Sequence, residues 1–149
     1  MVLKSSFPEI TTFGSLIRFA LELENTAVGL YEGSSKTYPD VAALPLLAGV
    51  HRKRFQLLEQ TRQQKLNEMI LEAIHGLNRN DYLVETDEVN GSPLHEVLKR
   101  AITLEEQSFK FYGDSARLAK SLLAEASRIF QKLAKVNGEN VGTLNAIPV

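Results

Sequence analysis

Two glutamates and a small set of nitrogen-bearing side chains stand at helical spacing on stripes that are otherwise apolar. Glu24 lies within Ala20-x-x-x-Glu24-x-x-x-x-x-x-Tyr31, and the pattern returns with the same spacing as Ala101-x-x-x-Glu105-x-x-x-x-x-x-Tyr112. Stepping by three and four residues, the stripes read Ile17, Ala20, Glu24, Ala27, Tyr31 and Leu98, Ala101, Glu105, Ser108, Tyr112. That is the periodicity of a helix face turned toward a core. A bare carboxylate on such a face costs several kcal/mol to bury, so a metal ion, a cation or a proton has to compensate it.

Two further stripes supply groups that could do so. One reads Leu44, Leu47, His51, Arg54, Leu58 and the other Phe130, Leu133, Asn137, Asn140, Leu144. Each carries two polar residues three apart, flanked by apolar ones, so Glu24, His51, Arg54, Glu105, Asn137 and Asn140 are expected to meet at one level of the core. His51 can ligate a metal as neutral imidazole or carry a charge itself. Arg54 stays protonated and has no lone pair to give a metal. Its five donors are expected to join the two glutamates, with Asn137 and Asn140 satisfying the remaining lone pairs. Tyr31 and Tyr112 are read as core aromatics whose hydroxyls bond the opposite carboxylates.

The elements that position these groups are four helices. Thr12 is an N-cap for a first helix over about 12–34, broken by Gly33, Ser34 and Ser35. After the Tyr38-Pro39-Asp40 turn, with Asp40 as cap, a second helix runs over about 41–76, with Pro45 near its first turn. Residues of about 78–92 are polar, lack a helical stripe and form the crossover. Ser92-Pro93 is an N-cap and first-turn pair opening a third helix over about 93–121, and a fourth follows over about 122–144. Two helical hairpins joined by a long crossover make an all-α, four-helix bundle.

Composition is consistent with one domain over 1–149. The chain is 44% hydrophobic with a formal net charge of -1, which offers no field to attract nucleic acid or an anionic membrane surface. Cysteine is absent, which excludes disulfides, thiol catalysis and iron–sulfur ligation. The first residues are too polar for a signal peptide and no run suits a membrane span, so a cytoplasmic protein is expected. Glu72-x-x-His75 has metal-ligand spacing but no partner carboxylates at its level, and is read as an exposed pair. The His51-Arg52-Lys53-Arg54 run is splayed by its helix, and His95 is read as exposed.

The doubled Ala-x-x-x-Glu-x-x-x-x-x-x-Tyr pattern, followed by Leu47-Ala48-x-Val50-His51-x-x-Arg54 and Leu133-Ala134-x-Val136-Asn137-x-x-Asn140, resembles the ferritin-like, rubrerythrin-type family over about residues 12–144. The resemblance implies a ferritin-like bundle in which helices one and three each give one glutamate, and helices two and four each give a Glu-x-x-His pair, to two irons. Glu24 and Glu105 match the single glutamates, and Tyr31 and Tyr112 match tyrosines near the site. The paired positions read His51-x-x-Arg54 and Asn137-x-x-Asn140 instead. An intact site balances four carboxylates and two imidazoles against two divalent ions. Here two carboxylates, Arg54 and a protonated His51 sum to zero without metal.

The reading is therefore a degenerate di-iron site closed by a Glu–Arg–His–Asn network, with no cofactor, no catalytic residue, and a binding or structural role. By family analogy the chain is expected to form a homodimer. Two alternatives stay open. One is a ferritin-like oxidoreductase handling peroxide or iron, with Glu24, His51 and Glu105 holding iron or another divalent metal. The other is a small-anion-binding protein using Arg54.

Overall fold

The four expected helices form. In this computed structural model the described residues are 7–64, 69–89 and 91–149. Positions 1–6, the part of the expected second helix at 65–68 and position 90 of the expected crossover lie outside them. Helix α1 spans Phe13–Thr37 and opens on a reciprocal capping box. The Thr12 hydroxyl accepts from the Ser15 amide at 3.1 Å, and the Ser15 hydroxyl accepts from the Thr12 amide at 2.9 Å. Gly33, Ser34 and Ser35 do not break α1. The Ser34 hydroxyl donates back to the Leu30 carbonyl at 2.7 Å and that of Ser35 to the Glu32 carbonyl at 2.9 Å, within a continuing helix. Pro39 stops it instead, because the preceding residue is driven out of helical conformation, and Tyr38 sits at φ -124 and ψ 66.

Helix α2 spans Ala43–Gln64, so Asp40 stands too far upstream to cap it. Its C-terminal part departs most from expectation. Residues 70–76 are not helical; Thr12 and Ala73 form an antiparallel bridge. The Phe13 amide donates to the Glu72 carbonyl and the Gly14 amide to the Ile70 carbonyl, both at 2.9 Å, while the Ile74 amide donates to the Thr11 carbonyl at 3.0 Å. A helix N-terminus carries amides with no partner inside the helix, and this segment supplies carbonyls to two of them. Ile74 is buried there, so its apolar side chain serves the core without belonging to a helical stripe.

Gly14 is required at that junction. A methyl group on its Cα would stand 2.7 Å from the Ile70 Cγ2 and 3.0 Å from the Ile70 carbonyl oxygen. The carbonyl cannot yield without breaking its bond to the Gly14 amide. Gly14→Ala is therefore expected to destabilise the fold by about 1–3 kcal/mol, the usual cost of overpacking a closed contact. Urea unfolding would measure it, and an unchanged midpoint would show that the segment shifts freely.

A short 3-10 turn at Arg79–Asp81 follows. Helix α3 spans Leu94–Ala119, with Pro93 rather than Ser92 at the N-cap and no side-chain cap bond. Helix α4 spans Ala124–Asn145. Helix α1 packs most extensively on α2 and α3 on α4, while α1–α3 and α2–α4 contacts are sparser. The sparser approaches suit long inward side chains, which hold the two hairpins apart. An aromatic cluster closes one end: Phe19 stacks on Phe111 at 4.9 Å between centroids, and Tyr82 from the crossover meets Phe111 edge-on at 5.3 Å. The Tyr82 hydroxyl donates to Asp114 at 2.6 Å, which ties the crossover to α3. Among the described residues no helix is long and apolar enough to cross a membrane.

Candidate functional site

All twenty residues of the four stripes are buried, and the polar ones meet as the spacing requires. Glu24 is 1% exposed, Glu105 0%, His51 1% and Arg54 5%. Ordinary charged side chains are almost never so buried without partners, and here the partners are complete. Glu24 Oε1 accepts from His51 Nδ1 at 2.6 Å and from Arg54 Nε at 3.0 Å. Its Oε2 accepts from the Tyr112 hydroxyl at 2.5 Å and from Arg54 Nη2 at 3.1 Å. Glu105 Oε2 accepts from the Tyr31 hydroxyl at 2.6 Å and from His51 Nε2 at 2.8 Å. Its Oε1 accepts from the side-chain amides of Asn137 at 2.7 Å and Asn140 at 3.2 Å. Each carboxylate oxygen thus has two donors.

The assignment of cations to acids differs from the expectation. Arg54 does not join the two glutamates. It grips Glu24 alone, through Nε and Nη2, and spends its other contacts on the Leu133 carbonyl at 3.1 Å and Asn137 Oδ1 at 2.9 Å. His51 is the residue that stands between Glu24 and Glu105. Both ring nitrogens face carboxylate oxygens, so both must carry protons and the ring is an imidazolium. Asn137 is held in one orientation by the same logic: its oxygen meets the guanidinium and its amide nitrogen meets Glu105. Tyr31 stacks on the His51 ring at 5.6 Å, and the Arg54 guanidinium carbon lies 5.3 Å from the Tyr112 ring centroid. Both tyrosines cross to the opposite helix as expected, Tyr31 to α3 and Tyr112 to α1.

Electrostatics follow from this wiring. Burial alone would raise the Glu24 carboxyl, but the charges of Arg54 and His51 and their hydrogen bonds overcome it and hold the group down to about 2. Burial would likewise lower His51, yet the Glu24 charge and the hydrogen bonds to Glu105 and Glu24 raise it to about 9. Burial also works against Glu105, whose bonds from His51, Tyr31 and Asn137 still keep it below its ordinary range. Both tyrosine hydroxyls are pushed well above their usual value, first by burial and then by the carboxylate each one faces. They are fixed as neutral donors. Two negative and two positive charges cancel within the layer.

Removing one of those donors isolates its contribution. Tyr112→Phe leaves Glu24 Oε2 with only the guanidinium and is expected to cost about 1.5–3 kcal/mol, the range for a hydrogen bond to a charged group. Urea unfolding at neutral pH measures the cost. The same variant should shift the acid limb of stability toward higher pH, because Glu24 is then easier to protonate; an unmoved limb would mean that the hydroxyl bond carries no weight.

The donor set bears on metal binding. His51 Nδ1 and Nε2 point in different directions, one to each glutamate, so Glu24, His51 and Glu105 do not surround a common point with three lone pairs. Among the described residues no group of three or more His, Asp or Glu side chains is arranged to hold a metal ion. The Glu72 and His75 side chains are exposed, as expected, but on an irregular segment instead of a helix. Of the basic run, Arg52 and Lys53 face outward and Arg52 pairs with Glu32, while His51 and Arg54 turn inward. His95 is 65% exposed beside Glu96. Two contributors escaped sequence reasoning. The Leu133 carbonyl, an acceptor for Arg54, leaves no trace in residue identity. Tyr82 was detectable as an aromatic inside an otherwise polar connection.

Comparison of the chain with models of protein families, with curated proteins and with solved structures gives no match.

Proposed function

We propose that the chain is a ferritin-like, rubrerythrin-type bundle whose di-iron site has been replaced by a metal-free network, and that it serves a structural or binding role instead of a redox one. The observation that carries the proposal is the placement of His51, with its ring nitrogens 2.6 and 2.8 Å from carboxylates on opposite helices. Each ring nitrogen thus presents an N–H to an acid instead of a lone pair to a metal. Arg54 adds a permanent positive charge beside Glu24, which repels a divalent cation at the same place. The doubled glutamate–tyrosine pattern and the inward pairs on α2 and α4 support descent from a site with four-helix ligation.

An oxidoreductase built on Glu24, His51 and Glu105 would require His51 to give up a proton and aim its single free lone pair at a metal shared with both acids. The anion reading of Arg54 is weakened because Nε, Nη1 and Nη2 already donate within the layer.

Anaerobic ferrous titration followed by elemental analysis tests the proposal. The protein should hold no stoichiometric iron. The variant His51→Glu, Arg54→His, Asn137→Glu, Asn140→His, which rebuilds both Glu-x-x-His pairs, should hold about two irons per chain and rise in Tm with iron, as expected for a ligand bound only by the folded state. One or two irons in the unaltered protein would sink the reading.

A further inference from the structure

On the α1–α3 side, away from the polar layer's own contacts, the crossover leaves a cleft of about 550 Å³ against both helices. A smaller cleft of about 300 Å³ adjoins it and shares Leu30, Val89 and Arg100 with it. The first has the size of a small-molecule site. Its floor is apolar: Leu30, Val89 and Leu104 are buried, with Leu83 and Val84 along the crossover wall.

Among the residues lining this cleft, Arg100 has a buried polar atom without a hydrogen-bond partner. Its side chain is 18% exposed, and Nη2 donates to the Asp87 carbonyl. Its Nε is buried and makes no hydrogen bond. The acid nearest that nitrogen is Glu85, whose Oε2 lies 3.7 Å away, beyond hydrogen-bonding range, on a side chain that is 77% exposed. A buried guanidinium N–H is normally satisfied, and leaving it without an acceptor is unfavourable. The fork of an arginine is shaped to receive a carboxylate.

We propose that this cleft binds a small organic monocarboxylate, its head group on Arg100 and its apolar body on Leu30, Val89 and Leu104. The charge balance selects a monoanion. Lys99 and Arg100 line the larger cleft together with Glu85 and Glu96, so a multiply charged phosphate would meet as much repulsion as attraction, whereas one carboxylate needs only to take the place Glu85 occupies loosely. The inference is independent of the iron reading, since none of these residues belongs to the polar layer.

Octanoate is the probe, with 1-octanol as its uncharged counterpart, followed by calorimetric titration of the full chain. Octanoate should saturate at one per chain and bind at least about tenfold more tightly than octanol, reflecting a charge-assisted contact. Arg100→Gln should remove most of that preference, weakening octanoate by much more than octanol. Glu85→Gln alters an exposed side chain and removes the competing acid, so it should tighten octanoate binding by about two- to fivefold, the effect of a weak exposed ion pair. Equal affinity for the two probes, or unchanged octanoate affinity in a folded Arg100→Gln protein, overturns the proposal. So does a Glu85→Gln protein that binds octanoate no more tightly. Should Arg100→Gln fail to fold, the probe ratio and Glu85→Gln decide the matter alone.

Discussion

Arg54→Ala is expected to cost about 3–5 kcal/mol of folding free energy, the penalty for stranding a buried charge by removing its partner. Glu24 would keep His51 and Tyr112 but lose both guanidinium bonds, at 3.0 and 3.1 Å, in a position that is 1% exposed. The Leu133 carbonyl and Asn137 Oδ1 would lose their donor at the same time. Arg54→Lys keeps the charge yet cannot reproduce the fork, so it should fall between. The informative companion is Arg54→Ala with Glu24→Gln: taking away the stranded acid should return part of the loss, giving a coupling energy above about 1 kcal/mol. Urea unfolding at pH 6 reads these proteins against the unaltered chain, with Glu24→Gln alone closing the cycle. A single-variant cost within about 0.5 kcal/mol, the range for ordinary surface positions, would contradict the pairing.

Stability should form a plateau bounded by pH 4.5 and 6.5, falling on both sides. Glu24 has its carboxyl depressed from 4.5 to about 2 in the folded protein. Its contribution is therefore complete above 4.5 and is lost as the pH falls toward 2, when the unfolded chain binds the proton first. A shift of that size corresponds to about 3 kcal/mol, and Glu105, also depressed, steepens the same limb. His51 moves oppositely, from 6.5 to about 9. Its contribution is complete below 6.5 and fades as the pH rises through 9, again by about 3 kcal/mol. The two amounts do not add, because the Glu24–His51 contact enters both. Urea midpoints from pH 2 to 10 trace the profile. His51→Gln should flatten the alkaline limb while leaving an acid limb in place; an alkaline loss that persists unchanged would exclude His51 as the titrating group.

The inward faces were legible because a helix fixes which of its own side chains share a direction, whatever it packs against. Spacing of three and four therefore sufficed to name Glu24, His51, Arg54, Glu105, Asn137 and Asn140 as one layer, and the doubled pattern gave Tyr31 and Tyr112 their crossed partners. The reach of α2 was misjudged for a related reason. Apolar residues at Ile70 and Ile74 extend the periodic signal, but they serve the core from an irregular segment that supplies carbonyls to the first turn of α1, and that demand arises in another part of the chain.

What only the tertiary structure decided is which cation reaches which acid. The type and facing of every residue in the layer were determined by sequence alone, whereas its charge balance follows only once both His51 ring nitrogens stand against carboxylates. Yet the bridging place that donor count suggests for Arg54 is held by His51. The choice depends on the axial offset and rotation of α2 against α1 and α3, distances of a few ångströms that no local pattern along one helix encodes. The short imidazolium then spans Glu24 and Glu105, while the longer guanidinium lies along Glu24 and reaches across to α4.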